Sequence, residues 1–243
     1  MGSHLRLLRK HDAPAAPRRA PDHSLLCSDD MGAVDVLMAR LAAGERLERL
    51  GLIVQEHLGT GGKRMRARLC LAAAAALGAA RSEAVPWAAS VELLHNATLV
   101  HDDIQDGDLI RRGQPTVWVR HGVPQAINTG DLMLMLPILA LDHLEVPGGV
   151  CWSLSRALAL HASATVRGQA EELDLLKSGH LDRASYTRSV QGKTGSLFAL
   201  PVEGAALIAG RSPEDARELG ACFTELGVLF QLQDDVLDLY GNK

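Results

Sequence analysis

Apolar residues recur at helical spacing through nearly all of this chain beyond residue 30, and no stretch sustains the two-residue alternation of a half-buried strand. Leu37, Leu41, Leu47, Leu50, Leu52 and Ile53 predict one or two amphipathic helices ahead of a break at Gly59-Thr60-Gly61-Gly62. Further helices are expected over residues 64–79, 86–105, 124–143, 149–177, 182–209 and 213–240. The breaks between them carry Gly and Pro, at Pro86, Gly113-Gln114-Pro115, Pro147-Gly148-Gly149 and residues 210–213. Ser212-Pro213-Glu214 reads as a helix start, with Ser at the cap and Pro in the first position. Ala and Leu dominate and aromatic residues make up 3%, a composition that favours helix over sheet. The expected fold class is all-α, with no internal repeat.

At 243 residues, 47% hydrophobic and 22% charged, the chain can bury a substantial core and is not disordered throughout. Its longest uncharged stretch, residues 69–80, is too short to span a bilayer, so no integral membrane segment is expected. A net charge of −4 gives no support for nucleic-acid binding. Cys27, Cys70, Cys151 and Cys222 form no CxxC pair. Reduced, buried thiols are expected, above all Cys70 and Cys222, and they suit a cytoplasmic location. Met1-Gly2-Ser3-His4 resembles a vector-derived scar, and Arg6, Arg9, Lys10, Arg18 and Arg19 stand against a single Asp12. With Pro14, Pro17 and Pro21 close by, residues 1–30 read as a mobile basic tail rather than a targeting peptide, because no apolar core follows the arginines. Residues 31–243 read as one domain.

Two clusters of the form D-D-x-x-D end long apolar-periodic helices: Asp102-Asp103-Ile104-Gln105-Asp106 and Asp234-Asp235-Val236-Leu237-Asp238. The outer aspartates of each are four residues apart, stacked on one helix face with about 6 Å of rise between them. Such like-charge pairs destabilise a helix by a few tenths of a kcal/mol. One copy is readily a solvated helix end. Two copies in like contexts are better explained by bound cations. Carboxylates are hard ligands suited to Mg²⁺, which takes one or two of them and completes its octahedron with water and phosphate oxygens. Asp102, Asp106, Asp234 and Asp238 are the expected metal ligands, and a diphosphate held between two aspartate helices is the implied chemistry.

Cations for an anion lie in three further places. Gly61-Gly62-Lys63-Arg64-Met65-Arg66 sets three positive charges at a helix start, where free N–H groups also favour phosphate. Arg111-Arg112-Gly113 follows the first acidic cluster in a turn-rich loop. Lys193-Thr194-Gly195 interrupts an otherwise apolar helical pattern, where a break is costly unless used. Each alone reads as solvated surface. Together with two metal sites they leave room for two diphosphate groups.

The residues Gly61-Gly62-Lys63-Arg64-Met65-Arg66, the stretch HDDIQDGDLIRRGQPT over 101–116, Gly130-Asp131, Gly168-Gln169, Lys193-Thr194-Gly195 and FQLQDDVLD over 230–238 resemble the head-to-tail polyprenyl synthetases in kind and order. That resemblance implies an isoprenoid-synthase helical bundle around a deep central cavity, a homodimer, and about three Mg²⁺ ions as cofactors. It implies that Asp102, Asp103 and Asp106 hold Mg²⁺ on an allylic diphosphate, as Asp234 and its neighbours do from the far side. Lys63, Arg66, His95 and Arg112 match positions that bind isopentenyl diphosphate. Arg111, Lys193, Thr194 and Gln231 match positions around the allylic diphosphate and its ionised state. The implied catalytic set is Asp102, Asp103, Asp106, Lys193, Thr194, Gln231 and Asp234. The allylic C–O bond ionises as the diphosphate is stabilised, the double bond of isopentenyl diphosphate attacks the carbocation, and the released diphosphate accepts the lost proton.

Two departures stand out. Glu172 lies where the family usually has Asp, with Asp174 two residues on. The chain stops at Lys243, five residues after Asp238, whereas the family continues for several helices and includes a later Lys, so the C-terminal part of the domain is expected to be missing. The competing readings are a class I terpene cyclase, which needs no isopentenyl diphosphate site, and a non-catalytic partner subunit of such an enzyme. In the family, aromatic residues four and five positions before the first Asp block the cavity at fifteen carbons. Here those positions are the small Ala97 and Thr98, so a geranylgeranyl product is expected, with farnesyl or longer chains as alternatives.

Overall fold

The computed structural model describes residues 28–45, 48–179 and 182–240, and the side chain of Asp238 lies outside the described residues. So does most of the expected tail, residues 1–27, together with Leu47 and Cys27. Helical structure begins within the residues read as tail: α1 spans Ser28–Ala43 and α2 Arg49–Gly59. Next come α3 (Met65–Leu77) and α4 (Arg81–Gln105). A two-stranded ribbon, β1 (Ile110–Arg111) and β2 (Gln114–Pro115), leads into the single-turn α5 (Val117–His121) and then α6 (Val123–Ala140). The remaining helices are α7 (Gly148–Ser178), α8 (Arg183–Val190), α9 (Ser196–Ile208) and α10 (Pro213–Tyr240), with a π-helical turn, Gln191–Gly195, between α8 and α9. The all-α expectation holds.

The predicted boundaries shift in three places, each for a local reason. α4 starts five residues before Pro86, because a proline that early in the helix frees only the carbonyl of the exposed Ser82. Glu83 closes that end by accepting from the Ala80 N–H at 3.3 Å. The expected helix over 182–209 is divided by the π-helical turn at the Lys193-Thr194-Gly195 break. The loop after the first acidic cluster is a tight hairpin whose turn residues, Arg112 and Gly113, have φ of 52° and 73°. That pair of positive φ values is the geometry of a two-residue type I′ connection. At α10 the expected cap is present: the Asp215 N–H donates to Ser212 Oγ at 3.1 Å.

Helices α4 and α9 form the centre. Trp87, Leu93, Leu94, Ala97 and Val100 of α4 are buried, and the largely apolar α9 is buried all round from Ser196 to Leu207, its one carboxylate, Glu203, meeting His161 of α7 at 2.8 Å. A Cβ at Gly204 would lie 1.9 Å from the Trp87 indole, so the two helices approach this closely only through a glycine. α1, α3 and α6 pack against α4, while α3, α7 and α10 pack against α9. Cys70 is buried as expected. Cys222 is exposed on α10, contrary to the expectation of a buried thiol, because its helix turns that face away from α9. Among the described residues no helix is long and apolar enough to cross a membrane.

Candidate active site

A cavity of about 710 Å³ opens where α3, α4, α6, α7, the π-helical turn, α9 and α10 converge. Asp102 and Asp106 line it from the C-terminal turns of α4, and Asp234 lines it from α10. Asp103 does not. A step of one residue turns a helix by about 100°, and this carries Asp103 away from the cavity to a site 1% exposed, where Oδ1 accepts from Arg111 Nε at 2.5 Å. The cavity contact expected of Asp103 is therefore corrected to a hold on Arg111, which itself lines the cavity and also reaches Asp108 at 3.3 Å.

Burial pushes the Asp102 carboxyl up to about 6; nearby Lys193 pulls it down and Asp106 pushes it further up. Asp106 is raised for the same first reason. Two half-desolvated carboxylates four residues apart thus sit at a charge that the fold alone resists, and a cation would relieve it. Lys193 stands beside them, in close ion pair with Glu172 of α7. Burial works against the Lys193 charge, but the Glu172 hydrogen bond together with Asp102, Glu172 and Asp106 outweighs it and holds the ammonium above its ordinary value. Glu172 thus sets a carboxylate on Lys193 at the cavity edge.

The opposite flank is cationic. Lys63, Arg64, Arg66, His95 and Arg112 all border the same cavity. A Cβ at Gly62 would meet the Arg112 guanidinium at 2.8 Å, so Gly62 lets that side chain lie against the backbone, where its Nη1 donates to the carbonyl of Gly61. Arg112 itself holds a left-handed conformation, a strain of about 1–3 kcal/mol for a non-glycine residue. Arg66 lies 5.4 Å over the Phe198 ring, and burial lowers it to about 10, so it keeps its charge at neutral pH. Enclosure holds the His95 imidazole well below the ordinary value, with Arg66, Arg112 and Arg111 adding repulsion; at pH 7 it is neutral. One expectation fails here. The N–H groups of Arg66 and Ala67 at the start of α3 are not free for phosphate, because both donate to Glu92 Oε1 at 3.1 Å. Arg64, one of the three charges expected at this helix start though matched to no substrate position, also borders the cavity, with its Nε on Asp35 at 3.1 Å and its Nη2 on the Leu58 carbonyl at 2.9 Å.

Glycines bring the third wall together. A Cβ at Gly168 of α7 would lie 2.3 Å from the Lys193 nitrogen, and one at Gly227 of α10 would lie 2.7 Å from the Cα of Gly195. Backbone meets backbone at both crossings, and Gln169, Lys193, Thr194 and Gln231 are thereby set around the cavity. Thr194 Oγ1 donates to Gln231 Oε1 at 3.0 Å, Gln231 Nε2 donates to Asp235 Oδ1 at 2.8 Å, and the Tyr186 hydroxyl donates to Asp235 Oδ2 at 2.5 Å. Tyr186 was missed in the sequence, where nothing in its spacing sets it apart. Of the two expected chain-length residues, Thr98 lines the cavity beside Leu99, whereas Ala97 is fully buried in the core among apolar neighbours. Ala97 is corrected to a packing residue.

These donors fit magnesium. Among the described residues no three carboxylate, imidazole or thiol groups close into a cage of their own. Asp102 and Asp106 from one helix and Asp234 from another suit an ion that takes one or two carboxylates and leaves its other positions to water and a diphosphate. Asp238, the fourth expected ligand, lies outside the described side chains.

Geranylgeranyl diphosphate synthase of Methanosarcina mazei is 34% identical over 206 residues, covering 85% of this chain and 64% of that protein. (2E,6E)-farnesyl diphosphate synthase of Mycobacterium bovis is 38% identical over 181 residues, covering 74% of this chain and 50% of that protein. The crystal structure of geranylgeranyl pyrophosphate synthetase from Pyrococcus horikoshii superposes with a TM-score of 0.83 at 30% identity, over 88% of this chain and 66% of that one. The chain thus spans about half to two thirds of the length of the relatives it matches. The family profile described as polyprenyl synthetase matches residues 48–243, and the chain belongs to that family.

Proposed function

We propose that this chain carries the catalytic core of a magnesium-dependent trans-prenyltransferase, which condenses isopentenyl diphosphate with an allylic diphosphate to give a longer prenyl diphosphate. The observation that carries this reading is a single cavity with a cationic flank of Lys63, Arg66, His95 and Arg112 facing an acidic one of Asp102, Asp106 and Asp234 with Lys193 between. Mg²⁺ ions, three by family resemblance, would be held by Asp102, Asp106 and Asp234 and would supply charge to the departing diphosphate. Lys193 adds a fixed positive charge on the same side, and Arg111, anchored by Asp103, adds another. Lys63, Arg66 and Arg112 hold the diphosphate that does not leave, and neutral His95 offers it a hydrogen bond. The allylic C–O electron pair leaves with diphosphate, the isopentenyl π pair forms the new C–C bond, and the lost proton passes to the released diphosphate. Leu173, Leu197 and Phe230 keep water from the carbocation.

The small Thr98 on the cavity wall supports a twenty-carbon product. Ile127, Met135, Ile138 and Leu139 stand exposed along one side of α6 and support a homodimer through that helix. The free thiols Cys70, Cys151 and Cys222 suit a reducing, cytoplasmic setting. The deciding assay incubates the protein with isopentenyl diphosphate, an allylic diphosphate and Mg²⁺, and separates the dephosphorylated products. Chain elongation is expected, with turnover falling by orders of magnitude in Asp102→Ala or Asp106→Ala. No elongation, or near-normal turnover in either variant, overturns the reading.

A further inference from the structure

The second acidic cluster holds two neighbouring aspartates in different surroundings. Asp234 faces the cavity, whereas both oxygens of Asp235 are taken by protein donors, Oδ1 by the Gln231 amide at 2.8 Å and Oδ2 by the Tyr186 hydroxyl at 2.5 Å. A carboxylate only accepts, so the Gln231 NH₂ must turn toward Asp235; the flipped amide would set oxygen against oxygen. The Gln231 carbonyl oxygen then faces Thr194 at 3.0 Å, and the single hydroxyl proton of Thr194 must be donated to it. Thr194 is buried among its neighbours and borders the cavity, so with its proton committed it meets the cavity with lone pairs alone.

We propose that Tyr186 and Asp235 are positioning residues which fix the polarity of the Gln231–Thr194 contact, so that Thr194 presents an electron-rich oxygen to a cationic carbon and withholds a proton from diphosphate oxygens. This rests on the synthase reading above. Tyr186 does not line the cavity. It comes from α8, pins Asp235 on α10, and acts through Gln231, also on α10, upon Thr194 of the π-helical turn.

Calorimetry with two probes tests it: inorganic diphosphate with Mg²⁺, and a short allylic ammonium ion or its neutral alcohol added to that complex. The wild type is expected to prefer the ammonium. Tyr186→Phe keeps both shape and net charge, and should weaken ammonium binding about tenfold while leaving diphosphate binding unchanged. Asp235→Asn should likewise weaken ammonium binding, and Tyr186→Phe should add nothing to that loss in the Asp235→Asn background. Should Asp235→Asn fail to fold, the Tyr186→Phe arm decides alone. Wild-type ammonium affinity in Tyr186→Phe, equal loss of both probes, additive effects, or a wild type indifferent to the cation would each overturn the proposal. Failure of the wild type to elongate substrate while it still prefers the cation would sink the synthase reading and leave this polarity standing; binding of neither probe would sink both.

Discussion

His57 shows how strongly single side chains here are governed by their neighbours. It is buried on α2, and burial first, then Arg112 and Arg111, lowers its pKa to about 4. The folded state therefore resists a proton that the unfolded chain accepts at about 6.5, and the stability His57 contributes is lost as pH falls from 6.5 toward 4. Asp102, raised to about 6, works in the opposite sense: it favours the fold below 3.8, and that advantage disappears as pH rises through 6. The pH profile of the metal-free protein should accordingly combine opposed contributions, with His95 acting in the sense of His57 and Asp106 in that of Asp102. His57→Gln exposes one of them. In urea titrations without divalent ions, the stability gap between wild type and this variant should narrow by about 2 kcal/mol between pH 7.5 and pH 5. A gap that stays constant would mean that the imidazole titrates normally.

At the scale of elements, the π-helical turn over Gln191–Gly195 places Lys193, and its position depends on the glycine crossings beneath it. Gly168→Ala would drive a methyl group into the Lys193 backbone and the Ser189 carbonyl, so the turn must move outward. Overpacking of this kind costs about 1–3 kcal/mol. The melting temperature should fall, and turnover should fall by a larger factor than the Michaelis constant for isopentenyl diphosphate changes, because Lys193 leaves Asp102 and Asp106 while Lys63 and Arg66 stay in place. Unchanged turnover in a folded Gly168→Ala protein would break the link. The sequence showed that something interrupts residues 182–209, since Lys193-Thr194-Gly195 breaks an otherwise apolar helical pattern. It could not show a π-helical turn, because one wide turn leaves the flanking periodicity intact and its cause lies on α7 and α10. The hairpin at 110–115 escaped for another reason: strands of two residues carry no alternation, so Gly113-Gln114-Pro115 marked a break without showing a ribbon.

The whole molecule decides what no single helix can, the depth of the cavity. Asp102 and Asp106 fix which face of α4 looks inward, and Thr98, one turn of about 6 Å before Asp102, lies on that face. Ala97 is rotated about 100° from it and packs in the core. The row 98, 102, 106 was present in the sequence, but equal weight on two adjacent small residues ignored it. The sequence also offered residues 133–139 of the neighbouring helix as a floor, and Leu134 of α6 does line the cavity, but which of them does so depends on packing between helices far apart in the chain. A growing prenyl chain running down from the aspartates should meet position 98 first. Thr98→Phe is therefore expected to shorten the product by at least one five-carbon unit, with the melting temperature little changed, since the ring enters open space. Ala97→Phe should instead overpack the core, lose about 1–3 kcal/mol of stability, and leave product length as in the wild type. Chromatography of dephosphorylated products, run beside thermal melts of both variants, separates the two positions. Shorter products from Ala97→Phe with an unchanged melting temperature would put the cavity floor on the other face of α4.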